Sequence, residues 1–262
     1  MKGTARSGAA VKGMKIYGKS DIGVRRQINQ DRFLIREFGD ELALCAVFDG
    51  MGGANGGEQA SSAAMHAFDN CITGELIDAV QSGKVITSAD AEKLLYKAAQ
   101  TANAEIFKKG EDPSLEGMGT TVIAALIIPD DVVALNIGDS RLYQISRGAL
   151  RQVTKDNSYV QYLVDIGRIT KEEAATHPKK NIITKCLGTE DEVEPDIYRI
   201  GEIPDKLLFC SDGLTNALKE DFIYDSVTDA DKSAYEKVTS LINAANSAGG
   251  PDNITVILAE ND

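Results

Sequence analysis

The chain of 262 residues has little histidine, two residues, and little cysteine, four. Neither His66 nor His177 belongs to an H-E-x-x-H pattern, which excludes a zincin-like metal site. Cys45, Cys71, Cys186 and Cys210 stand far apart with no C-x-x-C pair, and three of them lie in apolar or amphipathic runs. A thiol packs there as a small hydrophobe, so a reducing cytoplasm is the expected compartment. Positive charge is also scarce, with 28 Lys and Arg against 40 Asp and Glu and a formal net charge of -12. Such a surface repels phosphate backbones and anionic lipid headgroups over a screening length of about 10 Å, so neither nucleic acid nor membrane is an expected partner. No apolar run approaches the roughly 18 residues that span a bilayer. The opening "MKGTARSGAAVKGMK" is basic but lacks the apolar centre of a secretory signal.

What the chain does have is ordinary globular material, 43% hydrophobic and 26% charged. Residues 1–13 are small, basic and aperiodic and read as a flexible tail before a single domain over 14–262. Several runs are apolar on consecutive residues: 42–48, 122–128, 132–137, 206–210 and 254–259. Strands of that kind are covered on both faces. Helical spacing fills 54–72, 88–109, 157–176 and 231–247, the last with Val238, Leu241, Ile242 and Ala245 on one face. Pro129-Asp130-Asp131 and Arg147-Gly148 separate short strands with no room for a crossover helix, which makes those strands antiparallel. The expected class is α+β, sheets with helices outside them, and not a doubly wound parallel sheet.

Carboxylates recur at the ends of these buried strands: Asp31, Asp49, Asp139, Asp212 and Asp252, mostly beside glycine or asparagine. One such residue is an ordinary turn or N-cap aspartate, the reading given to Asp221 and Asp231. Five meeting in one domain raise one another's pKa and destabilise the fold unless positive charge sits between them. Oxygen donors without nearby Cys or His suit hard ions such as Mg²⁺ or Mn²⁺. With Asp49 or Asp212 bridging, the set can hold two ions at a spacing that activates water and clamps a phosphoryl group.

That makes phosphate-ester hydrolysis the leading chemistry. The stretch "GMGGANGG" has Asn55 where a dinucleotide fingerprint needs glycine, and Glu58 follows Gly57 where a P-loop needs lysine. No G-x-S-x-G elbow occurs, and no cysteine lies in a basic loop that opens a helix. Water is left as the nucleophile.

Six motifs appear in order: "RQINQD" (26–31), "FDGMGG" (48–53), "GMGTT" (117–121), "NIGDSRLY" (136–143), "CSDGL" (210–214) and "GGPDNIT" (249–255). From about Tyr17 to Ala259 the chain resembles the metal-dependent serine/threonine protein phosphatases, the phosphatase 2C group, and in particular their compact bacterial branch. The resemblance implies a four-layer α-β-β-α sandwich with two central antiparallel sheets and a metal cluster at one end. By resemblance, Asp49 bridges two Mg²⁺ or Mn²⁺ ions, Gly50 gives its carbonyl to one, and Asp212 and Asp252 complete the other. Asp31 holds metal-bound waters, Asp139 with Asp212 forms a possible third site, and Arg26 forks onto the substrate phosphate.

Some relatives carry histidine where Met51 stands, and Asp-His-Ser where this chain has Asp156-Asn157-Ser158. Methionine donates no proton, so a metal-bound water or His177 takes the acid role. His177, in "HPKKN", reads as a structural residue, and His66 as packing or surface. Residues 154–188 correspond to the flap beside the cleft, with Val160, Leu163, Val164 and Ile169 expected inward on an amphipathic helix.

The function expected is removal of phosphate from phosphoserine and phosphothreonine of protein substrates, by attack of a bridging water in a cytoplasmic monomer. The relatives make a serine/threonine kinase the first partner to seek. Two alternatives stand beside it: a phosphatase-like module that binds phosphoproteins without hydrolysis, and the same chemistry on phosphotyrosine or small phosphoesters.

Overall fold

The computed structural model describes residues 6–7 and 14–261. Of the expected tail, Arg6–Ser7 form a short strand and the rest lies outside the described residues. The strands are β1 (Arg6–Ser7), β2 (Met14–Asp21), β3 (Asp31–Phe38), β4 (Leu42–Met51), β5 (Gly119–Thr120) and β6 (Val122–Ile128). They continue as β7 (Asp131–Ile137), β8 (Arg141–Ser146), β9 (Ala149–Gln152), β10 (Asp196–Arg199), β11 (Lys206–Cys210) and β12 (Ile254–Asn261). The helices are α1 (Gly53–Ser82), α2 (Ser88–Lys109), α3 (Tyr159–Asp165), α4 (Lys171–Thr176), α5 (Asp212–Thr215), α6 (Glu220–Thr228) and α7 (Ala234–Ser247).

The strands form two sheets, ordered β1-β2-β12-β11-β8-β9 and β10-β7-β6-β4-β3, with β5 added beside β4. Among the described residues every strand pair is antiparallel. The consecutive apolar runs are explained by two cores meeting at one strand. In β4, Leu42, Leu44, Ala46 and Phe48 face the α1–α2 layer, while Ala43, Cys45 and Val47 face the other sheet. In β12, Val256 and Leu258 face α7, while Ile257 and Ala259 face the space between the sheets. Burying each large side chain contributes roughly 1.5–3 kcal/mol. Phe48 adds an edge-on contact with Phe68 of α1, ring centroids 5.4 Å apart.

The runs expected as strands are strands, β6 and β11 with the same bounds. Three helical expectations need correction. The segment expected over 54–72 continues to Ser82, and ends only where Gly83 takes a left-handed conformation, φ 69°. The segment expected over 157–176 is broken into α3 and α4, because Gly167 sits at φ 68° and Thr170 starts a new capping box with Glu173. Val160, Leu163, Val164 and Ile169 are only half-buried, so no inward face is completed there. Finally, α7 begins at Ala234, where Ser233 caps it with Glu236 in a capping box. Its inward face is the one expected, with Val238, Leu241, Ile242 and Ala245 all buried.

Register places the acidic residues at one end of the sandwich. Asp31 opens β3 directly opposite Asp49 near the close of β4. Val122, which opens β6, pairs with Ile137 at the end of β7, two residues before Asp139. Cys210 at the end of β11 pairs with Val256 near the start of β12, so Asp212 and Asp252 emerge at that same end.

Candidate active site

Asp49 is held by its main chain. Its carbonyl accepts from Thr121 N (2.9 Å) and Thr120 Oγ1 (2.9 Å), and its N–H donates to Thr121 Oγ1 (3.2 Å). Gly50 follows, with its N–H on Gln30 O at 3.2 Å. A Cβ at Gly50 would fall 2.1 Å from Gly57 O and 2.7 Å from Gln30 O. Only glycine lets the first turn of α1 close against the strand end, which answers why glycine crowds this carboxylate.

Asp31 is buried, and its Oδ2 accepts from Ser211 Oγ (2.8 Å) and Thr255 Oγ1 (2.7 Å). Its Oδ1 is buried with no partner, and so is Oδ1 of Asp139. Asp139 follows Gly138, whose N–H donates to Asn157 Oδ1 (2.9 Å) and whose carbonyl accepts from Asn157 N (2.8 Å). Asp212 opens α5 and accepts at Oδ2 from Asn216 Nδ2 (2.9 Å). Asp252 accepts at Oδ2 from Arg26 Nη2 (2.8 Å) and at Oδ1 from its neighbour Asn253 N (2.8 Å).

These carboxyls act on one another. Asp49 and Asp212 are half-buried, yet loss of water is the first cause acting on each. Asp49 is held well above the usual carboxylate range by desolvation, then by the charges of Asp31, Asp212, Asp139 and Asp252. Desolvation pushes Asp31 up to about 7 against the hydrogen bonds of Thr255 and Ser211. Desolvation and then the Asp212 and Asp156 charges push Asp139 up to about 8. Asp212 rises to about 6, through desolvation and then Asp252, with Asp49, Arg26 and Lys180 opposing. The structure therefore brings all five sequence-predicted aspartates together.

The donor set fits a hard divalent cation. Every side-chain donor is oxygen, two buried carboxylate oxygens lack any partner, and the acids hold one another in the protonated direction. Among the described residues no three acidic, histidine or cysteine side chains already surround one point. Magnesium does not require that, since it takes one or two carboxylates and keeps several waters.

Arg26 lies on the loop between β2 and β3, its side chain 49% exposed and hydrogen-bonded to Asp252, which holds its pKa above the ordinary arginine value. Sequence reasoning missed what shapes that loop. Asn253 is buried and accepts at Oδ1 from Gln30 N (2.8 Å), while its Nδ2 donates to Ile22 O (2.9 Å) and Ile28 O (3.0 Å). Its only sequence signal is its place after Asp252. Lys180 was also missed; its Nζ donates to Asn216 Oδ1 (3.2 Å), and its charge favours ionised Asp212.

Met51 ends β4, half-buried. His177 caps the end of α4 and accepts at Nδ1 from Lys179 N (3.1 Å), with its ring 6.3 Å from that of Tyr159. His66 is exposed on α1. The four cysteines are free thiols. A cavity of about 410 Å³ lies between β3 and α1 and one of about 600 Å³ between the flap and β10; neither is lined by Asp49, Asp212 or Asp252.

The family model described as "Protein phosphatase 2C" matches residues 18–247. A serine/threonine phosphatase, stp, of Listeria monocytogenes is 38% identical over 246 residues, covering 93% of this chain and 94% of that one. The serine/threonine phosphatase structure of S. agalactiae superposes with a TM-score of 0.86 at 34% identity, covering 95% of this chain and 100% of that one. The catalytic domain of the phosphatase PstP in complex with two manganese ions matches at TM-score 0.80 and 34% identity, over 94% of this chain and 97% of that one.

Proposed function

The chain belongs to the protein phosphatase 2C family, and from that premise we propose that its reaction is carried by Asp49, Gly50, Asp139, Asp212 and Asp252 together with Arg26 and Asp31. It is a protein serine/threonine phosphatase of the bacterial type, and its family depends on divalent metal. The observation that carries the site reading is the convergence of five aspartates from five separate segments, with Asp31 Oδ1 and Asp139 Oδ1 buried and unpaired.

Asp49 and Gly50 would hold one Mg²⁺ or Mn²⁺ ion, and Asp212 and Asp252 would share a second with Asp49. Asp139 with Asp212 offers a weaker third place. Bound there, the ions supply positive charge for the phosphoryl oxygens and the acidity that makes water a nucleophile near neutral pH.

The chain's own residues do the rest. Arg26 binds the substrate phosphate through the guanidinium edge that Asp252 does not occupy. Asp31, fixed at Oδ2 by Ser211 and Thr255, presents Oδ1 as an acceptor for water in the cluster. Met51 has no proton to give, so the leaving serine or threonine oxygen takes its proton from water or from Nε2 of His177, whose Nδ1 accepts from Lys179 N.

No described helix is long and apolar enough to cross a membrane. We place the enzyme in the cytoplasm as a monomer, acting against a serine/threonine kinase. Release of phosphate from phosphothreonine and phosphotyrosine peptides, compared with and without Mn²⁺, tests the reading. Manganese-dependent turnover of phosphothreonine supports it, and preference for phosphotyrosine moves the substrate assignment to the second alternative.

A further inference from the structure

We propose that Asn103, on α2 and outside the carboxylate cluster, is a positioning residue that sets Asp49 and Gly50 through Leu187 and Thr120. The proposal rests on the reading that Asp49 and Gly50 hold metal. Asn103 is buried in the helix face that meets the end of the flap and the turn after it. Its Oδ1 accepts from Gly188 N (2.8 Å), and its Nδ2 donates to Glu190 O (3.0 Å) and Asp191 O (3.0 Å). Both amide hydrogens and the amide oxygen are thus spent on one turn of chain.

That turn is pressed hard onto α2. Gly188 has φ +90°, and a Cβ there would lie 2.1 Å from Ile106 Cγ2, one helical turn beyond Asn103. The residue before it, Leu187, forms a two-way bridge with Thr120: Leu187 N to Thr120 O at 2.9 Å and Thr120 N to Leu187 O at 3.1 Å. On its other side Thr120 of β5 pairs with Gly50 of β4 and donates Oγ1 to the Asp49 carbonyl. Strand β5 has two residues, flanked by β4 and by Leu187. Its position therefore depends on the clasp that Asn103 makes, and the position of the Asp49–Gly50 backbone depends on β5. Groups bonded directly to metal ligands, as Thr120 is to Asp49, typically change affinity or activity by about 10–100-fold when displaced, and the clasp acts through that group.

Gln100 provides an internal control. It lies one turn earlier on α2 and donates Nε2 to Val193 O (2.6 Å), clasping the same loop further from Leu187. The test compares Asn103→Leu, Gln100→Leu and the unsubstituted chain by Mn²⁺ calorimetry, melting temperature, and kcat and KM on a phosphothreonine peptide. The expected result for Asn103→Leu is a loss of about 10-fold or more in Mn²⁺ affinity or kcat with KM little changed. Gln100→Leu is expected to melt lower yet keep both. Equal losses in the two variants, or none in Asn103→Leu, overturn the proposal.

Absence of Mn²⁺ uptake by the unsubstituted chain overturns the metal reading and this proposal together, whereas uptake there with Asn103→Leu unchanged overturns this one alone. Should Asn103→Leu not fold, hydrogen exchange on the unsubstituted chain decides. The amides of Gly188, Leu187, Thr120 and Thr121 are expected to open as one slow unit, and independent opening of Gly188 and Thr120 contradicts the coupling.

Discussion

Asp31 and Asp49 stand directly opposite one another on adjacent antiparallel strands, side chains on the same face of the sheet. Like charges so placed destabilise a strand pair, and here Asp212, Asp139 and Asp252 add to the repulsion on Asp49. The metal-free fold therefore carries a cost at this end that function requires it to keep.

Asp49→Asn separates the two roles. Without metal at neutral pH the variant should melt higher than the unsubstituted chain, because one of the carboxyls that disfavour one another's ionisation is gone. With Mn²⁺, its turnover should fall by roughly 10²–10³-fold, as for loss of one electrostatic stabiliser. Thermal unfolding and phosphopeptide hydrolysis measure the two; a lower melting point in the metal-free variant contradicts the repulsion.

The pH dependence follows from the same groups. The folded chain keeps protons on Asp212, Asp31 and Asp139 up to about 6, 7 and 8, whereas unfolded aspartates release theirs near 3.9. The native state binds more protons across that window, so metal-free stability should fall as pH rises from about 4 to about 8 and then level off. Denaturant midpoints at several pH values show the slope. Asp31→Asn should flatten it, and saturating Mn²⁺ should cancel much of it.

Arg26→Lys keeps the charge but loses the planar fork. Charge-assisted hydrogen bonds contribute about 1.5–3 kcal/mol, so kcat/KM on phosphopeptides should drop by roughly 10–100-fold. Arg25 is exposed beside it, with its main chain on Gly250 O, and Arg25→Ala should stay near the unsubstituted rate. Steady-state kinetics on both variants decides whether the fork belongs to Arg26.

Asn253→Ala should loosen the loop that carries Arg26. Three main-chain partners at Gln30, Ile22 and Ile28 lose their bond, at about 1–3 kcal/mol for buried groups left unpaired. A lower denaturant midpoint together with a raised KM is expected; an unchanged KM would show that the loop is held by other contacts.

Much of this was legible in the letters because two-faced burial leaves a plain mark. Residues 42–48 and 207–210 read as strands because each position faces one of the two cores on either side of its sheet, and a carboxylate closing such a run is conspicuous. The flap misled because Val160, Leu163, Val164 and Ile169 keep helical spacing across Gly167, whose left-handed backbone ends α3. The extent of α1 was invisible because its small residues pack tightly without a strong amphipathic pattern. Asn103, Asn253 and Lys180 escaped for another reason: the partners of a polar side chain are chosen by tertiary structure, and they lie 36 positions away for Lys180 to Asn216, 85 for Asn103 to Gly188 and 231 for Asn253 to Ile22.

The account turns on whether divalent cations occupy the cluster of acids. Calorimetric titration of Mn²⁺ into the metal-free chain at pH 7.5, beside Asp49→Asn, measures this directly. Uptake of at least two ions by the unsubstituted chain, with proton release and clear weakening in the variant, is the expected result. No uptake, or identical isotherms for the two proteins, would contradict it.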